Sequence, residues 1–431
     1  MIKGDKRIIK GWVFYDWANS VYNLVISSAI FPIFYDNVTT ECLGSICENG
    51  VDNTYVHFFG SYISNSTIYS YVLSLSFLVV AFASPFLSGI ADYTGSKKKF
   101  MRFFCYLGSI SSMTLFFFNP EYIYLSFISV FFASIGFWNS LVFYNAFLPE
   151  IAEPKDQDKI SARGFSMGYF GAMILLILAL VAIKGFGVPA KWSFVFVGVW
   201  WIGFSQITFR VLPNNVYKRP KVKGYIWKGF QELKLVFQEF RKTKGLKRFL
   251  LSFFAFNTGV QTVMLMATLF AKKEIHDMPD SGLIIAILLI QILGALGAFL
   301  MSRLSGIIGN IRTLMISVII WIAVCAAAFV VTTAIQFYFL AAAVGLVMGG
   351  VQALSRSTYS KMLPETKDHA SYFSFFDVTE KVGIVLGTFF FGFMEYATGS
   401  IRYSVLAVAF FFVLGLILMF FIPKKEWKVT K

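Results

Sequence analysis

Residues 12–35 read WVFYDWANSVYNLVISSAIFPIFY. A helix needs about 20 mainly apolar residues to cross a bilayer, and this stretch is long enough. Yet Asp16, Asn19 and Asn23 sit within it. Trp12, Asp16, Asn19, Asn23 and Ser27 recur at helical spacing, so a 3.6-residue period places them on one stripe. A charge set against lipid costs at least about 2.5–3.5 kcal/mol, so the stripe must face protein or water. It is either the wall of a polar cavity or a seam of hydrogen bonds to neighbouring helices. Asp16 lies near one end of the span, where a surface cation is a further partner.

The same reading extends along the chain. Of its 431 residues 57% are hydrophobic and 14% charged, with a mean hydropathy of +0.68. Soluble domains carry about 25% charged residues, so the class is a polytopic membrane protein. Spans are predicted near 12–35, 67–91, 101–118, 122–147, 164–184, 192–212, 248–271, 281–302, 312–332, 335–355, 373–396 and 402–422. The fold class is therefore an all-α membrane protein of twelve transmembrane helices. The polar interval divides it into an N-terminal six-helix half (1–212), a basic linker (213–247) and a C-terminal six-helix half (248–431). Within the linker, Ile226, Phe230, Leu233, Val236, Phe237 and Phe240 alternate with charges. That pattern fits an amphipathic helix on the membrane surface or a soluble linker helix.

The net charge of +15 is explained by topology. Of 38 Lys and Arg residues, 32 fall at the termini, in the linker or at the loops on the same side. Lys184, Lys191, Lys272, Lys273 and Arg402 lie on the other side, and Lys381 lies within a span. The basic side, with both termini, is expected to be cytoplasmic, in a bacterial inner or plasma membrane. The charge then meets anionic lipid heads rather than nucleic acid. The start MIKGDKRIIKG leads into an apolar run too long for a cleavable signal. Cys105 and Cys325 sit in apolar runs, whereas Cys42 and Cys47 share one polar loop and could close a small disulfide if that loop faces an oxidising space.

The two halves echo each other. Asn19-Ser20 and Asn23 match Asn257-Thr258 and Gln261, YNAFLPE (144–150) matches YSKMLPE (359–365), and SGIADYTGSKKK (88–99) matches SRLSGIIGNIR (302–312). Parallel six-span repeats are the plan of a secondary transporter with its site near the midplane. Asn19, Asn23, Trp138, Asn139, Asn257, Gln261, Gln291 and Gln352 are the candidate solute contacts, each also able to serve as packing glue. They form a set rich in amides and aromatics that suits a neutral or zwitterionic solute. Asp377 and Lys381 stand four apart with Glu380 beside them, and with Asp16 these are the candidates for ion or proton coupling. Gly164, Gly168 and Gly171 mark a face for close helix approach. No Walker motif occurs, and GFSMG (164–168), although it fits Gly-x-Ser-x-Gly, opens a predicted membrane span rather than a strand-to-helix turn, so neither ATP use nor hydrolysis is expected, and no cofactor or metal is called for.

SGIADYTGSKKK resembles the loop 2–3 signature of the major facilitator superfamily, matching at Asp92, Gly95 and Lys97 and departing at Ser88 and Ser96. WVFYDWANSVYN, YNAFLPEIA, GVQALSRSTYSKMLPE and FSFFDVTEKVG look like the unknown-major-facilitator branch, itself similar to the autophagy-related vacuolar amino-acid effluxers. The resemblance implies alternating access, a cavity lined by spans 1, 4, 7 and 10, and a gate at Asp92, Gly95, Lys97 and Lys98. It implies efflux of a small organic solute, an amino acid among the options. A multidrug exporter and a transporter-like sensor are the alternatives. Span 4 lacks the arginine of many proton-coupled members and span 5 the Gly-Pro of drug antiporters. The protein is expected to act as a monomer.

Overall fold

The computed structural model describes residues 3–42, 55–58, 61–214, 216–217, 225–275 and 278–427. Twelve long helical spans account for almost all of it. Span 1 opens as an α-helix over Lys6–Val21, continues as a π-helix over Tyr22–Ala29 and closes as an α-helix over Ile30–Cys42. Spans 2 to 6 are Asn65–Thr94, Lys97–Thr114, Ile123–Asn145, Gln157–Phe186 and Trp192–Val211. Spans 7 to 12 are Lys244–Glu274, Asp280–Ile308, Asn310–Val330, Ala334–Met362, His369–Thr398 and Ile401–Phe420. Among the described residues, eleven helices qualify as membrane spans by length and hydropathy. Span 11 falls short because it carries Asp377, Glu380, Lys381 and Glu395.

The helices begin and end where local chemistry directs. Asp5 caps span 1 by accepting from the Arg7 amide at 2.8 Å, and Thr333 with Gln336 forms a capping box at the start of span 10. Gly187 and Gly399 end spans 5 and 11 with φ of +67° and +68°, a conformation that costs glycine little. The turns after spans 2 and 8 use Gly95 and Gly309, also at positive φ, so the sequence echo there is a shared backbone device.

Span 5 lies against span 1 along Gly164, Gly168 and Gly171. A Cβ on Gly168 would collide with Ser20 Oγ, and one on Gly171 would stand 2.7 Å from the Trp17 carbonyl oxygen. The two halves meet where span 2 packs on span 11 and span 5 packs on spans 8 and 10.

Two features differ from the sequence reading. A short antiparallel hairpin, Tyr55–Phe58 with Ser61–Ser64, occupies part of the polar loop after span 1. The linker helix, Tyr225–Lys242, docks on protein across the feet of spans 2 and 11. Gly229 approaches so closely that a Cβ there would lie 2.8 Å from the Ile90 nitrogen. Phe237 and Phe240 meet Phe375 of span 11, and Val236 is buried. Trp227 and Leu235 remain exposed on the outer side. Protein covers only part of the apolar stripe: Val236 is buried and Leu233 and Phe240 are half-buried, whereas Phe230 and Phe237 stay exposed. Cys47 and the side chain of Cys42 lie outside the described residues.

Candidate functional site

Halfway along span 11, Lys381 lies twelve residues beyond His369, about 18 Å at 1.5 Å per residue. It is almost fully buried. Its Nζ stands 3.1 Å from Asp377 Oδ1, 3.9 Å from Glu380 Oε1 and 3.4 Å from the ring centroid of Trp138 on span 4. Gln261 of span 7 donates from Nε2 to Glu380 Oε1 at 3.0 Å. Thus three candidate coupling residues and two candidate solute contacts form one cluster, drawn from both halves. Asp377 Oδ2 is buried without a hydrogen-bond partner, a state that is costly unless something else satisfies it.

Nearer the end that carries both chain termini, here the basic end, Asp16 is buried in an ion pair that sequence reasoning missed. Arg356 of span 10 reaches Asp16 Oδ2 with Nη1 and Nη2, each at 3.2 Å. Tyr144 of span 4 donates to the same oxygen at 2.7 Å. Arg356 also donates to Ser161 Oγ and to the Ser161 carbonyl oxygen of span 5, each at 2.9 Å. Its guanidinium lies over the rings of Phe165 and Trp12, at 4.2 and 4.8 Å. Charges removed from water persist only when paired and hydrogen-bonded, and this pair is both. Gly164 leaves the room it needs: a Cβ there would collide with Asp16 Oδ2.

At the basic end itself, Asp92 of span 2 accepts from the amides of Ala370 and Ser371 at 3.2 and 2.7 Å, and from Ser371 Oγ at 2.8 Å. It therefore caps span 11 from the other half, satisfying amides that a helix N-terminus leaves free. Lys97 pairs with Asp92 at 3.7 Å and closely with Glu150, and Glu150 also meets His369 Nδ1 at 3.1 Å. Lys98 instead donates to the Leu212 carbonyl oxygen at the end of span 6, a bond within the first half. A second contact mirrors the first: Asp158, in the first turn of span 5, holds Asn310 at 2.8 Å, Ser305 at 3.2 Å and Lys361 at 2.5 Å.

The other candidates are dispersed. Asn19 and Asn257, partners in the repeat, are both buried with Nδ2 unpaired. Asn139 turns its amide to the Ile135 carbonyl oxygen of its own helix. Gln352 accepts from Tyr169 of span 5 at 2.8 Å, across the two halves, and Gln291 is buried. Asn23 is exposed although it sits deep in span 1, about 26 Å from its start at 1.5 Å per residue. The stripe is therefore not uniform: Trp12, Asp16 and Asn19 are packed, and beyond Val21 the π-helical turn alters the spacing. Among the described residues no group of three His, Cys, Asp or Glu side chains is placed to hold a metal.

Several partners carried no local signal. Arg356 and Lys361 read as end-of-span charges, and Asp158 and Glu150 as loop acids. YNAFLPE and YSKMLPE pointed at the region through their likeness without naming these contacts.

Comparison with known proteins matches this architecture. A family model described as vacuole effluxer Atg22-like covers residues 4–430. An MFS-type transporter of Bacillus subtilis, YxiO, is 29% identical over 99% of this chain and 97% of its own length. Autophagy-related protein 22 of Saccharomyces cerevisiae is 26% identical over 98% and 91%. The human organic anion transporter MFSD10 superposes with a TM-score of 0.73 at 11% identity, over 97% of this chain and 100% of that one. The major facilitator superfamily transporter FucP in its outward conformation gives 0.68 at 14% identity, over 97% and 99%. With twelve spans, contacts between the halves and a match over nearly its whole length, the chain belongs to the Atg22-like vacuole effluxer family of major facilitator transporters.

Proposed function

We propose that the protein moves a small organic solute, an amino acid foremost, by alternating access around the cluster of Trp138, Gln261, Asp377, Glu380 and Lys381. The observation that carries this reading is the place of that cluster. It is polar, lies mid-span, is built from both halves and retains an unsatisfied carboxylate oxygen. The contacts through Asp16, Asp92 and Asp158 close the basic end. The exposed Asn23 lies deep in span 1, where a water-filled cleft from the opposite end accounts for it better than lipid does.

In this reading the basic end is cytoplasmic, given where the Lys and Arg residues fall. The relatives' description as vacuole effluxers then supports a direction. Efflux from a vacuole runs from the lumen to the cytoplasm, and the same vector across a plasma membrane is uptake. Purified protein in liposomes, screened for counterflow of labelled amino acids, tests the proposal. Counterflow of one or more amino acids is expected. Counterflow of none would overturn it, and flux of bulky hydrophobic cations would replace it with drug export.

A further inference from the structure

Span 11 places two carboxylates and one ammonium within one turn. The described ion pairs give Asp377 and Glu380 only Lys381 between them, so the cluster bears a formal excess of one negative charge. Glu380 is supported by a neutral amide, Gln261, and Asp377 Oδ2 by no hydrogen bond. Lys381 Nζ makes no hydrogen bond of good geometry either. Its stabilisation comes from the charge of Asp377 and the face of Trp138. That face is held in place by two edge-on neighbours, Phe77 at 6.0 Å and Phe137 at 4.9 Å. A carboxylate beside a fixed indole face is a seat for an ammonium group. Here the protein's own ammonium occupies it. The seat also spans the halves, since Trp138 belongs to the first and Asp377 to the second, as expected of a transporter's central site.

We propose that Lys381 is a resident ligand that holds the solute's place. A solute carrying both an ammonium and a carboxylate puts its ammonium on Trp138 and Asp377, and the displaced Lys381 turns to its carboxylate. The excess negative charge favours the incoming cation. The exchange leaves neither the solute carboxylate nor Lys381 buried without a counter-charge, which avoids the penalty of an unpaired ion. A simple amine has nothing to offer the displaced Lys381, so the site discriminates against it. This inference deepens the solute reading above and rests on it for the presence of a central site.

The test is calorimetric titration of the purified protein with the twenty amino acids and their decarboxylated amines, such as phenylalanine with phenethylamine. The wild type is expected to bind at least one amino acid ten or more times tighter than the matching amine. Lys381→Met should tighten amine binding about tenfold or more and abolish the preference for the amino acid. Trp138→Leu should weaken both ligands by a similar factor. A monodisperse Lys381→Met or Lys381→Gln protein that keeps the wild-type preference overturns the proposal, as does failure of both to bind any of these amines. Flux in liposomes separates this from the function itself. Transport of an amine-free solute, unaffected by Lys381→Met, removes the seat and leaves the transporter. Gain of amine binding with no flux of any solute leaves the seat and removes the transport.

Discussion

Arg356 and Asp16 lie 340 positions apart and meet as a buried ion pair, two guanidinium nitrogens each 3.2 Å from one carboxylate oxygen. The pair joins span 10 to span 1, and hence one half to the other. Removing one partner strands the other charge, at a cost of about 3–5 kcal/mol. Asp16→Ala and Arg356→Met should therefore each lower thermal stability sharply. The double variant, with no stranded charge, should recover much of the loss. Thermal unfolding of the four proteins in detergent checks this as a double-mutant cycle. Additive losses would show that the pair does not act as a unit.

Gly164 is expected to be intolerant of the smallest change. A methyl group there would collide with Asp16 Oδ2 and stand 2.9 Å from Arg356 Nη2, so the ion pair must shift or span 5 must withdraw from span 1. Overpacking of this kind costs about 1–3 kcal/mol. Gly203, on span 6, faces open space: a methyl group added there would meet nothing within 4 Å. There the same substitution should be neutral or should stabilise by up to about 1 kcal/mol through helix propensity. Unfolding curves of Gly164→Ala and Gly203→Ala should move in opposite directions, or the first alone should fall.

The spans are legible in the sequence because a bilayer imposes a length and a hydropathy that survive in one dimension. Even span 11, loaded with charge, shows itself through its apolar second half. Glycine spacing in GFSMGYFG likewise announces a close helix contact, and the structure places it against span 1. What does not show is partnership across the halves. Arg356 reads as a terminal charge because hydropathy fades after residue 355, whereas the helix continues to Met362. Its burial requires an acid from span 1, an aromatic cage and a missing side chain at Gly164, none of them near it in sequence. The π-helical turn at Tyr22–Ala29 also has no compositional mark. A strict 3.6 period therefore carries the stripe past the point where the backbone changes its spacing.

The linker helix offers a separate test of how the basic end is held. Its contact with span 2 depends on Gly89 and Gly229, where a Cβ on either would press into the backbone of the other helix. Gly229→Val should lift the helix from spans 2 and 11 and break the 3.3 Å contact from the Tyr372 hydroxyl to Glu239. Limited proteolysis of the linker should then proceed several-fold faster than in the wild type. An unchanged cleavage rate would mean that the docked helix is held by other contacts.

Asp92 and Asp158 set the strongest expectation about the conformational cycle. Asp92 caps span 11 with three hydrogen bonds from across the halves, and Asp158 binds Ser305, Asn310 and Lys361 in the mirrored position. The two contacts share no partner, so their losses should add within about 0.5 kcal/mol. Hydrogen bonds to a charged group contribute about 1.5–3 kcal/mol each. Asp92→Ala and Asp158→Ala should each shift the population toward a form open at the basic end. Ser371→Ala, which removes one bond and leaves the two amide contacts, should shift it less than Asp92→Ala. Distances between spin labels at the basic ends of spans 2 and 11, and of spans 5 and 8, read the population directly. A larger long-distance fraction is expected in each single variant and the largest in the double. If Asp92→Ala leaves the span 2 to span 11 distribution unchanged, the cap stabilises span 11 locally and does not hold the halves together.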